Sequence, residues 1–177
     1  MEGFQPDPEW FKGPYAHLWK PHADNVKALY DELMKRFPDL KDSIRIGLGA
    51  DSGDLIKIPP HQKDEPDMEV YYEYNLLCHI EVSGTDNKKV RVPPSNIWIR
   101  PGKIALGADK EKQGEPYGFY MVYPNTICVL RATDAEPYKT NTVTVSPYGK
   151  RETYSEIPYS VARPKETLFE WIEEEIS

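Results

Sequence analysis

The sequence of 177 residues predicts a mixed α/β protein of the α+β kind, a single central mixed sheet flanked by helices. Three observations carry this prediction. Residues 22–37 repeat Val26, Leu29, Tyr30, Leu33, Met34 and Phe37 at three- and four-residue spacing, the period of a helix with one buried face. Residues 69–83 alternate, with Val70, Tyr72, Tyr74, Leu76, Cys78, Ile80 and Val82 on one side. Glu69, Glu73, Asn75, His79, Glu81 and Ser83 fall on the other, broken only by Tyr71 and Leu77. Side chains along a strand alternate with period two, so this stretch reads as one long strand with an apolar back and a polar front. Finally, the apolar runs 117–123 and 126–131 flank Pro124-Asn125 as the arms of a hairpin do.

The elements follow in order. Residues 1–20 hold Trp10, Phe11, Tyr15 and Trp19 among five glycines and prolines, which disfavours a regular helix. They read as an aromatic arm that packs on the domain or on a partner. Helix 22–37 ends at Pro38, which cannot continue it. Residues 43–48 and 55–58 read as a hairpin around 49–53, and strand 69–83 follows a polar loop. After the short apolar run 96–100, Pro101 opens a helix to about Lys112, against the weakening effect of Gly102 and Gly107. The hairpin 117–131 precedes another, 140–146 with 151–157, across Pro147-Tyr148-Gly149-Lys150. A last helix runs from near Pro164, with Leu168, Trp171, Ile172 and Ile176 on one face. No repeat or composition shift divides the chain, so 1–177 reads as one domain: arm 1–20, core 22–131, and a hairpin with closing helix over 132–177.

The composition bounds function. No apolar run approaches the roughly 18–20 residues of a membrane span, and no charged-then-apolar leader pattern opens the sequence. We therefore expect a cytoplasmic protein with no membrane partner. Few glutamines, abundant Lys and Glu, and 17 prolines suit a thermophile. The net charge of -7 excludes a general nucleic-acid coat protein, since phosphate binding draws on Lys and Arg. The distribution is uneven. Residues 51–81 hold eight acids against Lys57 and Lys63, a balance of -6, and residues 152–177 carry -5. Residues 86–112 hold seven Lys and Arg against three acids, a balance of +4. An acidic cluster followed by a basic stretch suits a metal centre beside a phosphate-binding surface, or simply two solvated loops.

The residues with chemistry are carboxylates. Gly53-Asp54 lies in an acidic turn before the long strand, and that strand ends in Glu81-Val82-Ser83-Gly84. Carboxylates on neighbouring strands hold hard metal ions. This order of helix, three-strand meander, helix and further strands, with an Asp and then Glu-x-Ser, resembles the PD-(D/E)XK restriction-endonuclease-like superfamily over residues 22–131. The resemblance implies a restriction-endonuclease-like core in which Asp54 and Glu81 bind Mg²⁺ or Mn²⁺. It makes Glu32, on the helix, an auxiliary acidic ligand. The superfamily's lysine, two residues after the second acid, is Ser83 here, so Lys57 or Lys103 takes that role as a catalytic residue. A literal Pro66-Asp67 also precedes Glu81, but it falls in the polar loop ahead of the strand and is set aside.

Each of these residues has a bland alternative. Asp54 suits an Asx-type turn, Glu81 a solvated strand carboxylate, and His79 a half-exposed strand face without catalytic use. His17, His22, His61 and His79 show no zinc spacing, and Gly47-x-Gly49-x-x-x-Gly53 lacks the Lys-Ser/Thr of a phosphate loop. Cys78 and Cys128, 50 positions apart in apolar strands, read as buried thiols, with a cross-strand disulfide the minority alternative. Two functions are therefore expected. One is a metal-dependent nuclease-like protein acting on DNA or RNA phosphodiesters. The other is a non-catalytic interaction module, a homodimer or a binder of a protein partner through its aromatic arm.

Overall fold

The computed structural model describes residues 19–40, 43–46, 66–146 and 151–177. The chain divides into two compact units, one ending at Val82 and one beginning at Ser83. The class is mixed α/β of the α+β kind, as the sequence predicts, with four α-helices and nine strands among the described residues. None of these helices is long and apolar enough to cross a membrane. The expected strand 55–58, the turn 49–53 and the arm up to residue 18 lie outside the described residues.

The first unit opens with helix α1, Trp19–Arg36. It starts three residues earlier than its apolar pattern suggests, so Trp19 and Lys20 belong to the helix rather than to an arm. Pro21 permits this because the first turn of a helix has N–H groups without intrahelical acceptors. Ala23, Val26, Leu29 and Leu33 are its buried face, and Lys35 and Arg36 lie in its last turn, where cations favour the helix dipole. A 3-10 turn over Pro38–Leu40 packs on β2 and leads to β1, Ile44–Ile46. Strand β2, Met68–Tyr72, and strand β3, Asn75–Gly84, complete an antiparallel set in the order β1-β2-β3.

The expected single strand 69–83 is thus corrected: it is a hairpin. The chain reverses at Glu73-Tyr74, both at positive φ, +49° and +68°. Those signs are the signature of the tight turn whose twist matches that of paired strands. Neither residue is Gly, Asn or Asp, so no turn chemistry marks the reversal in the sequence. The register then pairs Tyr72↔Asn75 and Tyr71↔Leu76, skips Leu77, and resumes at Val70↔Cys78, Glu69↔His79 and Met68↔Ile80. A two-residue turn exchanges the faces of a continuous alternation, and the extra residue Leu77 exchanges them back. Val70, Cys78, Ile80 and Val82 are consequently all buried, as the alternation predicts. Leu76 is only half-buried, while Asn75 beside the turn is exposed.

The second unit carries two antiparallel sets of strands, and the three-stranded one is a sheet additional to the central sheet the sequence suggests. Strands β5, Tyr117–Tyr123, and β6, Thr126–Arg131, pair without interruption, and β9, Arg163–Pro164, adds to β6. The other sheet has the order β4-β8-β7, with β4 at Ile97–Ile99, β7 at Thr142–Val145 and β8 at Glu152–Ile157. Helix α2, Pro101–Lys112, has the predicted bounds, and α3, Ala132–Ala135, is a single turn that no apolar period announces. Helix α4 covers Glu166–Ile176 and buries Leu168, Phe169 and Ile172. Gly107, which intrinsic propensity counts against a helix, lies where α2 passes close to its neighbours. A Cβ there would stand 2.7 Å from both Ala132 and the Tyr117 ring. The core of the unit gathers Ile97, Ile99, Ile104, Phe119, Met121, Leu130 and Ile157, all close to fully buried.

Candidate functional site

The polar side of the β1-β2-β3 set is a buried row of ionisable groups. Register places Arg45 opposite Glu69 and Glu69 opposite His79. Arg45 Nη1 lies 2.8 Å from Glu69 Oε1, and His79 Nδ1 lies 3.1 Å from Glu69 Oε2. The Tyr71 hydroxyl donates to the same Oε2 at 3.4 Å. Glu69 and His79 expose only 7% and 5% of their side chains, so the half-exposed strand face expected for His79 is corrected to a buried one. A carboxylate that leaves water needs compensating charge and hydrogen bonds, and the guanidinium on the neighbouring strand supplies both. Burial first, then the Glu69 charge, pushes the Tyr71 phenol above its usual value, with Arg45 pulling the other way.

One step further from the turn stands a second acidic pair. Asp67 lies in a bend immediately ahead of Met68, whose partner is Ile80, so the register continued by one position points Asp67 toward Glu81. Asp67 is 7% exposed. Its Oδ2 accepts the Val82 backbone N–H at 2.9 Å, and its Oδ1 lies 3.0 Å from His22 Nε2 in the first turns of α1. Glu81 is half-buried, with its Oε2 shielded from solvent, and so is not the solvated carboxylate of the bland alternative. An ionised carboxylate offers about four lone-pair sites, of which the contacts named here for Asp67 take two.

The other predicted residues are distributed differently. Glu32 lies on α1 with Arg36 Nη2 3.7 Å from its Oε1. Lys103 is in the first turn of α2, in the second unit, and Ser83 is exposed near the end of β3. Asp54 and Lys57, and with them His17 and His61, lie outside the described residues. Asp67 is the residue that sequence reasoning missed. Its signal was the literal Pro66-Asp67, set aside as loop; Asp67 does lie ahead of β2, in a bend, and what the sequence did not show is its burial and its contacts with Val82 and His22.

Among the described residues no three His, Cys, Asp or Glu side chains converge as a metal-ligand group. The buried Asp67 and half-buried Glu81 are the carboxylates at this end of the hairpin. Oxygen donors in that number fit a hard ion such as Mg²⁺, which keeps several waters of its own, and fit zinc poorly. Cys78 and Cys128 are both buried free thiols, and burial raises the Cys128 thiol to about 11, far from a nucleophile at neutral pH. No protein-family model matches this chain, and no curated protein matches it significantly.

Proposed function

We propose that this protein is a metal-dependent, nuclease-like phosphodiesterase of the PD-(D/E)XK kind, with Asp67 and Glu81 as the acids that hold Mg²⁺ or Mn²⁺. The observation that carries the reading is the buried Asp67, one residue ahead of β2, which accepts the backbone N–H of Val82, the residue that follows Glu81 on β3. Asp67 is oriented from two sides, by the Val82 N–H and by His22. That preorganisation removes the entropy cost of gathering a site from mobile side chains. When bound, the ion polarises a phosphoryl oxygen and acidifies a water molecule. Glu32 remains an auxiliary acid in this reading, Asp67 takes the place of first acid for which Asp54 was expected, and Lys57 or Lys103 stands in for the lysine that Ser83 replaces. Nucleic acid is the substrate class, and the ion offsets part of the chain's acidic balance toward phosphate.

The test combines thermal melting with cleavage. Mg²⁺ or Mn²⁺ should raise the melting temperature of the wild type, by the roughly 2.7 kcal/mol that a ligand at a hundredfold excess over its Kd contributes. Glu81→Gln and Asp67→Asn should remain folded and lose that response together with cleavage of single-stranded, duplex and branched substrates. If Asp67→Asn keeps the response and Asp54→Asn loses it, the first acid is Asp54. A wild type that neither responds to metal nor cuts any substrate removes the catalytic reading and leaves the interaction module.

A further inference from the structure

The three-stranded sheet of the second unit ends in a strand whose outer edge is unpaired among the described residues. The order is β4-β8-β7, so β7, Thr142–Val145, meets β8 on one side only. The register pairs Val143↔Tyr154 and Val145↔Glu152, and one step on the Glu156 N–H donates to the Asn141 carbonyl at 2.7 Å. Hydrogen-bonded pairs alternate with unbonded ones in an antiparallel ladder, so Asn141, Val143 and Val145 turn their backbone groups toward β8. The N–H and C=O groups of Thr142 and Thr144 therefore face outward. The side chains agree: the Thr144 and Thr153 hydroxyls meet at 3.2 Å, as the closer side chains of an unbonded pair do. Folded proteins shield such edges with charge, proline or a bulge. None of these marks β7. Residues 140–146 hold no charged side chain and no proline, in a chain with 29% charged residues, and the β7–β8 register runs without a skip.

We infer that the outer edge of β7 joins two copies of this chain, strand to strand, across a twofold axis at Val143. Outward backbone donors and acceptors call for an extended strand, which alone presents the matching row. The side chains favour a second copy as its source. With the axis at Val143, Thr142 exchanges both backbone hydrogen bonds with Thr144 of the second copy, and Thr144 does so with its Thr142. Val143 then stands against Val143 of the second copy on the face that carries Tyr154, and the threonines meet on the other face. Such β-branched and Thr–Thr pairs stabilise neighbouring strands. The same register opposes residues 140–146 only to one another, so no like charges meet. The two three-stranded sheets become one continuous antiparallel sheet, and both open β7 edges are closed. The interface needs neither metal nor substrate.

Sedimentation equilibrium of the full chain in EDTA, over a range of protein concentrations, should show a reversible dimer. Thr144→Pro removes an outward N–H and none that β8 uses, a change edge strands tolerate. It deletes two hydrogen bonds across the axis and should raise the dimer Kd at least about tenfold. Thr142→Lys combined with Thr144→Lys sets like charges opposite one another and should do the same; it serves if the proline variant folds poorly. Val143→Cys should form an intermolecular disulfide on mild oxidation, because unbonded pairs bring Cα atoms to about 4.5 Å, within disulfide reach. The wild type should form none, since Cys78 and Cys128 are both buried. A monomer at every concentration, a dimer unchanged by both sets of Thr142 and Thr144 substitutions, or a dimer that Val143→Cys does not cross-link overturns the pairing. A monomeric wild type that binds a labelled Thr-Val repeat peptide, and loses it in Thr144→Pro, gives the edge to a foreign strand and likewise overturns the second copy.

Discussion

The β5–β6 hairpin turns through Pro124-Asn125 and keeps one register from Gly118↔Arg131 to Tyr123↔Thr126. The β2–β3 hairpin turns through Glu73-Tyr74 and skips Leu77. Both loops have two residues, but only the first carries residues that announce a turn. The second places a glutamate and a fully exposed tyrosine in the left-handed region, which costs a non-glycine residue roughly 1–2 kcal/mol. What offsets that cost is tertiary: buried Met68, Val70 and Ile80 on one side, and the Arg45, Glu69 and His79 row on the other. A hairpin can therefore be specified by its faces instead of by its turn, and such a hairpin is invisible to turn chemistry.

The comparison breaks most sharply at the acids. Glu69→Ala leaves the Arg45 guanidinium and the buried His79 without their shared carboxylate, and should cost about 3–5 kcal/mol in urea unfolding. Glu152→Ala in the second unit frees Arg100, whose side chain is already 53% exposed, and should cost less than half as much. Equal losses would mean that the polar row adds nothing particular to the β2–β3 hairpin.

Each hairpin also carries a buried thiol, and the one on β6 has a pH signature. The Cys128 pKa is raised from 9.0 to about 11 by burial, so folding favours the protonated thiol. That contribution is intact below pH 9 and is lost as pH climbs through 9 to 11, at no more than about 1.4 kcal/mol per pH unit. Burial raises the Tyr71 and Tyr123 phenols as well, so they act in the same direction above about pH 10. Cys128→Ala should lower stability at pH 7 yet flatten its decline between pH 9 and 10. An unchanged decline would place the titrating group elsewhere.

The smallest effect sharpens the turn itself. Replacing Glu73-Tyr74 with Asn-Gly should stabilise the protein by about 1 kcal/mol, because those residues accept positive φ and Tyr74 surrenders no packing. Pro124→Gly in the other hairpin should instead be neutral or destabilising, since it loosens the unfolded chain without relieving strain. A loss on Asn-Gly substitution would show that the exposed Tyr74 ring stabilises the fold through a contact of its own.

Local periodicity by itself determined the α+β class, the extent of helix α2, the β5–β6 hairpin, and the inward faces of Val70, Cys78, Ile80 and Val82. These follow from rules of near neighbours: period, turn residues and a proline at a helix start. The reversal at Glu73-Tyr74 escaped because the bulge at Leu77 restores the parity that the turn exchanges, leaving an alternation that looks unbroken. Its two exceptions, Tyr71 and Leu77, were the remaining trace: one sits in the polar row beside Glu69 and the other is the residue without a register partner. Glu81 was legible as a carboxylate on a strand, but the burial of Glu69 and His79 and the place of Asp67 against Val82 were not. Fifteen positions separate Asp67 from Val82 in the sequence, and the hairpin brings the Asp67 carboxylate onto the Val82 N–H, next in the chain to Glu81. Pairing across a sheet and withdrawal from water are properties of the folded neighbourhood, and only tertiary structure assigns them.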